Sequence, residues 1–204
     1  MEKINKNIGI FILNYNGLKW LKNNLSNIIL NSANAEITII DNNSKDDSIN
    51  YLETNFTQIS IIKHTKNYGF SKAYNKVLLN NFSNDYFVIM NNDVKVTNNW
   101  LQPMLNLIQK PNIGIVQPKI MNSDRKKYFD YAGAAGGFID VYGIPFCRGR
   151  IINNIESDTG QYEDNTQIFW ASGCCLMIKR EFFQILNGFD EDFFMHQEEI
   201  DLCW

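Results

Sequence analysis

Tyr86-Phe87-Val88-Ile89-Met90-Asn91-Asn92-Asp93-Val94 is the stretch on which the fold turns. Its first part is apolar without alternation, the pattern of a strand covered on both faces. It then stops in two amides and a carboxylate. These are poor strand residues, so the sheet is expected to end where they begin. A carboxylate with amide oxygens beside it, at a strand's carboxyl end, offers what a hard divalent cation needs, above all one that also holds phosphates. The same residues equally describe a strand running into an Asn/Asp turn. The strands before it decide between the two, because each of them ends the same way.

Toward the N-terminus, Ile59-Ser60-Ile61-Ile62 reads as a strand leading to Asn67-Tyr68-Gly69-Phe70-Ser71. Ile37-Thr38-Ile39-Ile40 is another, ending at Asp41-Asn42-Asn43-Ser44, and Ile8-Gly9-Ile10-Phe11-Ile12-Leu13 ends at Asn14-Tyr15-Asn16-Gly17. Helical faces lie between them. Leu18, Leu21, Leu25, Ile28 and Ile29 form the first; Ile49, Leu52 and Phe56 form the second, behind the capping residues Asp46, Asp47 and Ser48. Phe70, Tyr74, Val77 and Leu78 form the third. Strand and helix alternating through short linkers predict an α/β domain, a mainly parallel sheet with helices on both faces. Ligands of such sheets bind beyond the carboxyl ends of the strands. Tyr15, Asp41, Asn67 and Asp93 all fall there, so four polar strand ends make one binding edge. Tyr15 suits stacking on a base, Asp41 suits hydrogen bonds from a base or ribose, and Asp93 suits phosphates reached through a cation.

Beyond Asp93, Trp100, Leu101, Met104, Leu105 and Ile108 form a further helical face, and Ile113-Gly114-Ile115-Val116 is read as a fifth strand. After Pro118 the rhythm fails. Residues 121–165 are glycine-rich and expected to be irregular, a functional or mobile segment. Arg148 and Arg150 within it have the guanidinium geometry that clamps phosphate, and they also suit a solvated basic turn. Trp170 to Ile178 reads as a strand entering the core, with Gly173 permitting close approach of another group. Lys179, Arg180 and Glu181 open a helix that ends near Asn187-Gly188.

The chain closes on Phe193-Phe194-Met195-His196-Gln197-Glu198-Glu199-Ile200-Asp201-Leu202-Cys203-Trp204, the second chemical candidate. Glu198, Glu199 and Asp201 crowd three carboxylates among apolar neighbours. One of them partly buried beside another would bind its proton more tightly and serve as a general base. An acidic helix N-terminus accounts for the same pattern.

The 204 residues suit a single domain, 45% apolar and 20% charged. A net charge of −3 argues against a nucleic-acid footprint. No apolar run reaches the roughly 18 to 20 residues of a membrane span, and the N-terminus does not read as a signal peptide, which leaves peripheral membrane association open. Cys147, Cys174, Cys175 and Cys203 form no C-x-x-C pair, so a zinc site is not expected; they read as reduced thiols of a cytosolic protein. Glycine-rich phosphate motifs of dinucleotide enzymes and P-loop proteins are missing.

The ordered segments Leu13-Asn14-Tyr15-Asn16, Asp41 to Ser44 with Asp46, Asn67 to Asn75, Asn91-Asn92-Asp93, Gly136-Gly137 with Arg148-Gly149-Arg150, Trp170 to Arg180 and Gly188 to Trp204 together resemble family 2 glycosyltransferases of GT-A fold. The likeness is greatest to rhamnosyltransferase-like enzymes of bacterial surface polysaccharides, and it runs along nearly the whole chain. It implies one domain over 1–204, with a nucleotide-sugar half at 1–118 and an acceptor and base half at 119–204. The donor would be a UDP- or dTDP-sugar. Leu13, Tyr15, Asp41, Ser44, Asn67, Gly69, Asn92 and Arg148 would line the donor site, and Asp93 with Asn91 would hold Mg²⁺ or Mn²⁺. Asn91 stands where the family's D-x-D motif has its first acid, which removes one charged ligand. Glu199 matches the family's base, an Asp there, with Glu198 and Asp201 as alternatives.

The resemblance further implies inverting transfer to a hydroxyl of a growing or lipid-linked glycan, in the cytoplasm or at the inner face of the membrane. Family members continue past the position of Trp204, so a shortened chain is expected. Two other readings compete. A nucleotide-sugar-binding module without activity fits Asn91, and a nucleotidyltransferase fits the sheet but lacks its basic glycine-rich loop.

Overall fold

The computed structural model describes residues 7–80 and 82–204. The chain begins with β1 (Ile8–Asn14), α1 (Leu18–Asn31), β2 (Glu36–Asp41), α2 (Ser48–Asn55), β3 (Ser60–Lys63), α3 (Ser71–Leu78) and β4 (Tyr86–Asn91). It continues with α4 (Leu101–Ile108), β5 (Ile115–Val116), β6 (Gly137–Ile139), β7 (Pro145–Cys147), β8 (Arg150–Ile151) and β9 (Asn154–Ile155). It closes with β10 (Cys175–Lys179), α5 (Arg180–Ile185) and α6 (Glu198–Cys203).

The main sheet has the order β3-β2-β1-β4-β10-β5. β1, β2, β3 and β4 run parallel, and β10 enters antiparallel between β4 and β5. Both faces are covered, as the unbroken apolar strands require. Ile10, Ile12, Val88 and Met90 pack with Leu21, Leu25, Leu52 and Met104 on the face of α1, α2 and α4. Their neighbours in sequence, Phe11, Phe87 and Ile89, point the other way and pack with Tyr74, Val77, Phe183 and Leu202 of α3, α5 and α6. Because β10 comes from the second half of the sequence, a boundary at residue 118 does not divide the sheet: the two halves share it.

One expectation fails. Residues 121–165 are not irregular throughout, for they carry the antiparallel meander β6-β7-β8-β9. Its strands are two or three residues long, too short to write a period into the sequence. Turn wiring holds it instead. Asp140 accepts N–H bonds from Tyr142 (2.8 Å) and Ile144 (2.9 Å), and Gly149 turns at φ 88° where a Cβ would lie 2.5 Å from the Phe129 ring.

Candidate active site

The carboxyl ends of β1, β2 and β4 are tied together by side chains. Asn14, fully buried, donates to the Asp41 carboxylate and to Ser44 Oγ, each at 3.1 Å, and accepts from Asn92 Nδ2 at 2.8 Å. Asp41 also accepts from the Ser44 N–H at 3.0 Å, and Ser44 Oγ accepts from the Asn16 N–H at 2.9 Å. Gly17 is required here, since a Cβ on it would sit 2.0 Å from the Asn92 amide. Tyr74 adds a buried hydroxyl between the ends of β1 and β4, accepting from the Leu13 N–H (3.2 Å) and facing the Met90 (3.1 Å) and Phe11 (3.3 Å) carbonyls. Tyr15 stands 49% exposed at the edge of this network.

A second knot secures the loop after β3. Asn42 donates to Asn67 Oδ1 and to the Gly69 carbonyl, both at 2.8 Å, and accepts from the Tyr68 N–H at 2.9 Å. Gly69, at φ 76°, lies under the segment before α6, where a Cβ would meet the Phe194 carbonyl oxygen at 2.3 Å. Asn67 and Gly69 therefore join Asp41 and Ser44 on one rim.

Asp93 follows the end of β4 and is open to solvent on one side. Burial of its base and the nearby Asp130 raise its carboxyl pKa. Asn91 anchors the corner by donating its N–H to the Cys174 carbonyl at 3.0 Å. Burial, followed by the fields of Asp93 and Asp130, pushes the Cys174 thiol up to about 12. Among the described residues no group of three His, Cys, Asp or Glu side chains is arranged to cage a metal. Mg²⁺ or Mn²⁺ that keeps its waters and arrives with a diphosphate needs only one or two carboxylates. The Asp93 carboxylate facing the Asp130 field fits an ion of that kind, not a resident caged one.

The N–H of Gly173, next to Cys174, opposes the rise of the Glu199 carboxyl pKa. Burial raises the Glu199 pKa against the pull of its own N–H, the Gly173 N–H and the His196 side chain. Glu198 is 4% exposed, and burial pushes it up to about 7 against nearby backbone N–H groups, with Glu199 adding to the rise. One carboxylate oxygen of each, Oε2, is buried without a partner. Asp93, two residues past the Asn91 anchor on Cys174, and Glu199 thus both lie near the two-residue step Gly173–Cys174 that leads into β10.

Two candidates stand elsewhere. Asp201 faces the opposite side of α6, lining a cleft of about 490 Å³ with Asn75, Leu186, Phe189 and Trp204 that includes neither Asp93 nor Glu199. Arg148 sits over the Tyr162 ring, donates to the Ala135 carbonyl at 3.1 Å and faces Asp164 at 3.5 Å. Arg150 likewise stacks on Tyr131 and binds the Tyr131 and Ile152 carbonyls. Both guanidiniums brace the meander. Sequence reasoning missed Asn14 and Asn42 as site residues and Asp130 altogether. The polar strand end that singled out Asp41 extends to both asparagines, whereas Asp130 carries no such signal.

The model of glycosyl transferase family 2 matches residues 9–186. The low-salt glycan biosynthesis hexosyltransferase Agl10 of Haloferax volcanii is 24% identical over 203 residues, covering 97% of this chain and 60% of its own length. The rhamnosyltransferase WbbL of Escherichia coli is 21% identical, covering 95% and 74%. The N-acetylglucosaminyl-diphospho-decaprenol L-rhamnosyltransferase of Mycobacterium tuberculosis is 23% identical, covering 82% and 59%. The chain therefore spans roughly three fifths to three quarters of these relatives. In structure it resembles a mannosyltransferase of Pyrobaculum calidifontis solved with GDP-mannose and Mn²⁺ (TM-score 0.63, 15% identity, 97% of this chain and 51% of that one). It also resembles GalNAc-T7 solved with UDP, GalNAc and Mn²⁺ (TM-score 0.71, 15% identity, 97% and 40%). The shared architecture is the GT-A fold, and the chain belongs to glycosyl transferase family 2.

Proposed function

We propose that the chain is the donor-binding and base-bearing part of an inverting glycosyltransferase. It would move a sugar from a UDP- or dTDP-sugar to a hydroxyl of a growing or lipid-linked glycan, at the cytoplasmic face of the membrane. The observation that supports the reading is that Asp93 and Glu199 both lie near the Gly173–Cys174 step, the first exposed to solvent and the second partly buried with a raised pKa. The named activities of the relatives and the Mn²⁺ and nucleotide ligands of the structural neighbours support it.

In this reading Asp41 and Ser44, fixed by Asn14, accept and donate hydrogen bonds at the nucleoside, and Tyr15 offers a ring at the edge. Asn67 and Gly69 shape the adjacent loop. Asp93, with Asn91 at the same corner, would hold Mg²⁺ or Mn²⁺, an ion that neutralises charge on a departing diphosphate. Glu199 accepts the proton of the acceptor hydroxyl as that oxygen attacks the anomeric carbon from the face opposite the leaving group. Its partly desolvated carboxylate is the stronger base for it.

The test is calorimetry with a panel of UDP- and dTDP-sugars with and without Mn²⁺, followed by detection of released nucleoside diphosphate. Asp93→Ala is expected to abolish release. Glu199→Gln is expected to lower transfer by about a thousandfold while nucleotide binding stays unchanged. Near wild-type transfer by Glu199→Gln would refute the base assignment. Binding without release in the parent protein would favour an inactive module, and pyrophosphate formation from a sugar phosphate and NTP would favour a nucleotidyltransferase.

A further inference from the structure

Eight described residues other than glycine have left-handed backbone, and four of them are asparagines, the side chain that tolerates it. His196 (φ 75°) and Gln197 (φ 71°) differ from the rest: they are successive, contain neither Asn nor Gly, and stand immediately before Glu198-Glu199. Both side chains are exposed, so packing does not explain the conformation. The ends of the segment are fixed. Upstream, the Phe194 carbonyl accepts the Phe70 N–H at 2.7 Å, over the glycine at 69 that makes room for it. Downstream, the Gln197 carbonyl accepts the N–H groups of Ile200 and Asp201, both at 3.1 Å, and Leu202 is buried in the core. The segment runs between a strap tied to α3 and a helix tied to the sheet, and residues 196 and 197 span it in left-handed backbone, which histidine accepts better than glutamine does.

We propose that the His196–Gln197 double left-handed turn is the positioning device of the Glu199 carboxylate, holding the first turn of α6 against Gly173 under backbone strain. This rests on reading Glu199 as the proton acceptor. Neither residue touches substrate in this account; both act through where they put Glu199. A carboxylate displaced by about an ångström from its proton donor loses on the order of a hundredfold in rate. The required property is therefore backbone conformation; the pull of the His196 side chain on the Glu199 proton is a separate influence, lost equally in His196→Val and His196→Asn.

The test is a pair of substitution series at 196 and 197. Valine shuns the left-handed region, whereas asparagine accepts it. Turnover is followed as nucleoside diphosphate released from dTDP-rhamnose and UDP-glucose, with water or a free sugar as acceptor, and binding by calorimetry with UDP and dTDP in Mn²⁺. His196→Val and Gln197→Val are expected to lower kcat about a hundredfold with donor KM and nucleotide affinity within about twofold. His196→Asn and Gln197→Asn are expected to keep kcat within about threefold and to melt no lower than wild type. The proposal is overturned if the Val variants keep wild-type kcat, if Asn is as harmful as Val, or if the Val variants lose nucleotide binding together with kcat. Glu199→Gln, run alongside, separates the two readings. If it retains turnover, the base assignment has failed; if it is inactive while the Val variants are unimpaired, the positioning role alone has failed.

Discussion

The proposed donor rim and the proposed base-bearing end are built in opposite ways. On the rim, Asn14 bonds to Asp41, Ser44 and Asn92, and Asn42 bonds to Asn67, so side chains tie the ends of β1, β2 and β4 and the loop after β3, and their buried amides and carboxylate find partners. At the base end, Glu198 and Glu199 each bury a carboxylate oxygen with no partner, behind two residues in left-handed backbone. A fully wired network is rigid before anything binds, which suits recognition of a nucleoside of fixed shape. A buried, half-satisfied carboxylate is costly to the fold, and that cost is what raises its affinity for a proton. The molecule is thus stiff where it would hold the donor and strained where it would take a proton.

The largest break in this comparison comes from removing the central member of the rim. Asn14→Ala leaves the buried Asp41 without one donor and the half-buried Asn92 amide without its acceptor. Loss of about 3 kcal/mol in unfolding free energy is expected, together with a marked loss of UDP or dTDP affinity. Denaturant titration and calorimetry read the two separately. A loss below about 1 kcal/mol would mean that the rim's wiring is not what stiffens it.

How much of this was legible in the sequence follows from the same contrast. Asp41 and Asp93 announce themselves because a carboxylate or amide that closes an apolar run has to lie at a strand's end, and Asn67 follows from its place in the loop after the next such run. The parallel order of β1 to β4 follows from helices of ordinary length between them. The antiparallel entry of β10 was not legible, because a single apolar run records no direction. Nor was the meander, whose strands of two or three residues are too short to repeat the alternation. At the base end the acids could be counted but not aimed. Which of Glu198, Glu199 and Asp201 faces Gly173 depends on the turn at His196–Gln197, and left-handed backbone leaves no trace in residues that do not favour it.

The second prediction sharpens the comparison from the base end. The Glu198 carboxyl binds its proton with a pKa of about 7, well above its usual range near 4.5. Between those values the folded chain keeps a proton that the unfolded chain has lost, so stability falls as pH rises through that window and is flat on either side. Glu198→Gln removes this carboxyl's share of the dependence, and the raised Glu199 carboxyl keeps its own. The variant is expected to be more stable than wild type at pH 8, by up to about 3 kcal/mol, and indistinguishable from it near pH 4. Thermal melts across that range give the answer, and equal differences at both ends would show that Glu198 is not buried as described.

The smallest effect supplies the control for strain itself. Ile152, at φ 54°, lies in the two-residue turn between β8 and β9 and is 74% exposed. A β-branched side chain is as poorly suited to that backbone as any, and the turn lies among residues that brace the meander, not those that hold Asp93 or Glu199. Ile152→Asn keeps the turn and relieves the conflict, with an expected gain of about 1 kcal/mol and unchanged turnover. Strain at 152 should therefore be removable without loss, whereas forcing residues 196 and 197 out of the left-handed region should stop turnover while the fold stands. If Ile152→Asn also lowered turnover, strain in this chain would be coupled over a distance, and the turn before Glu199 would lose its claim to a local role.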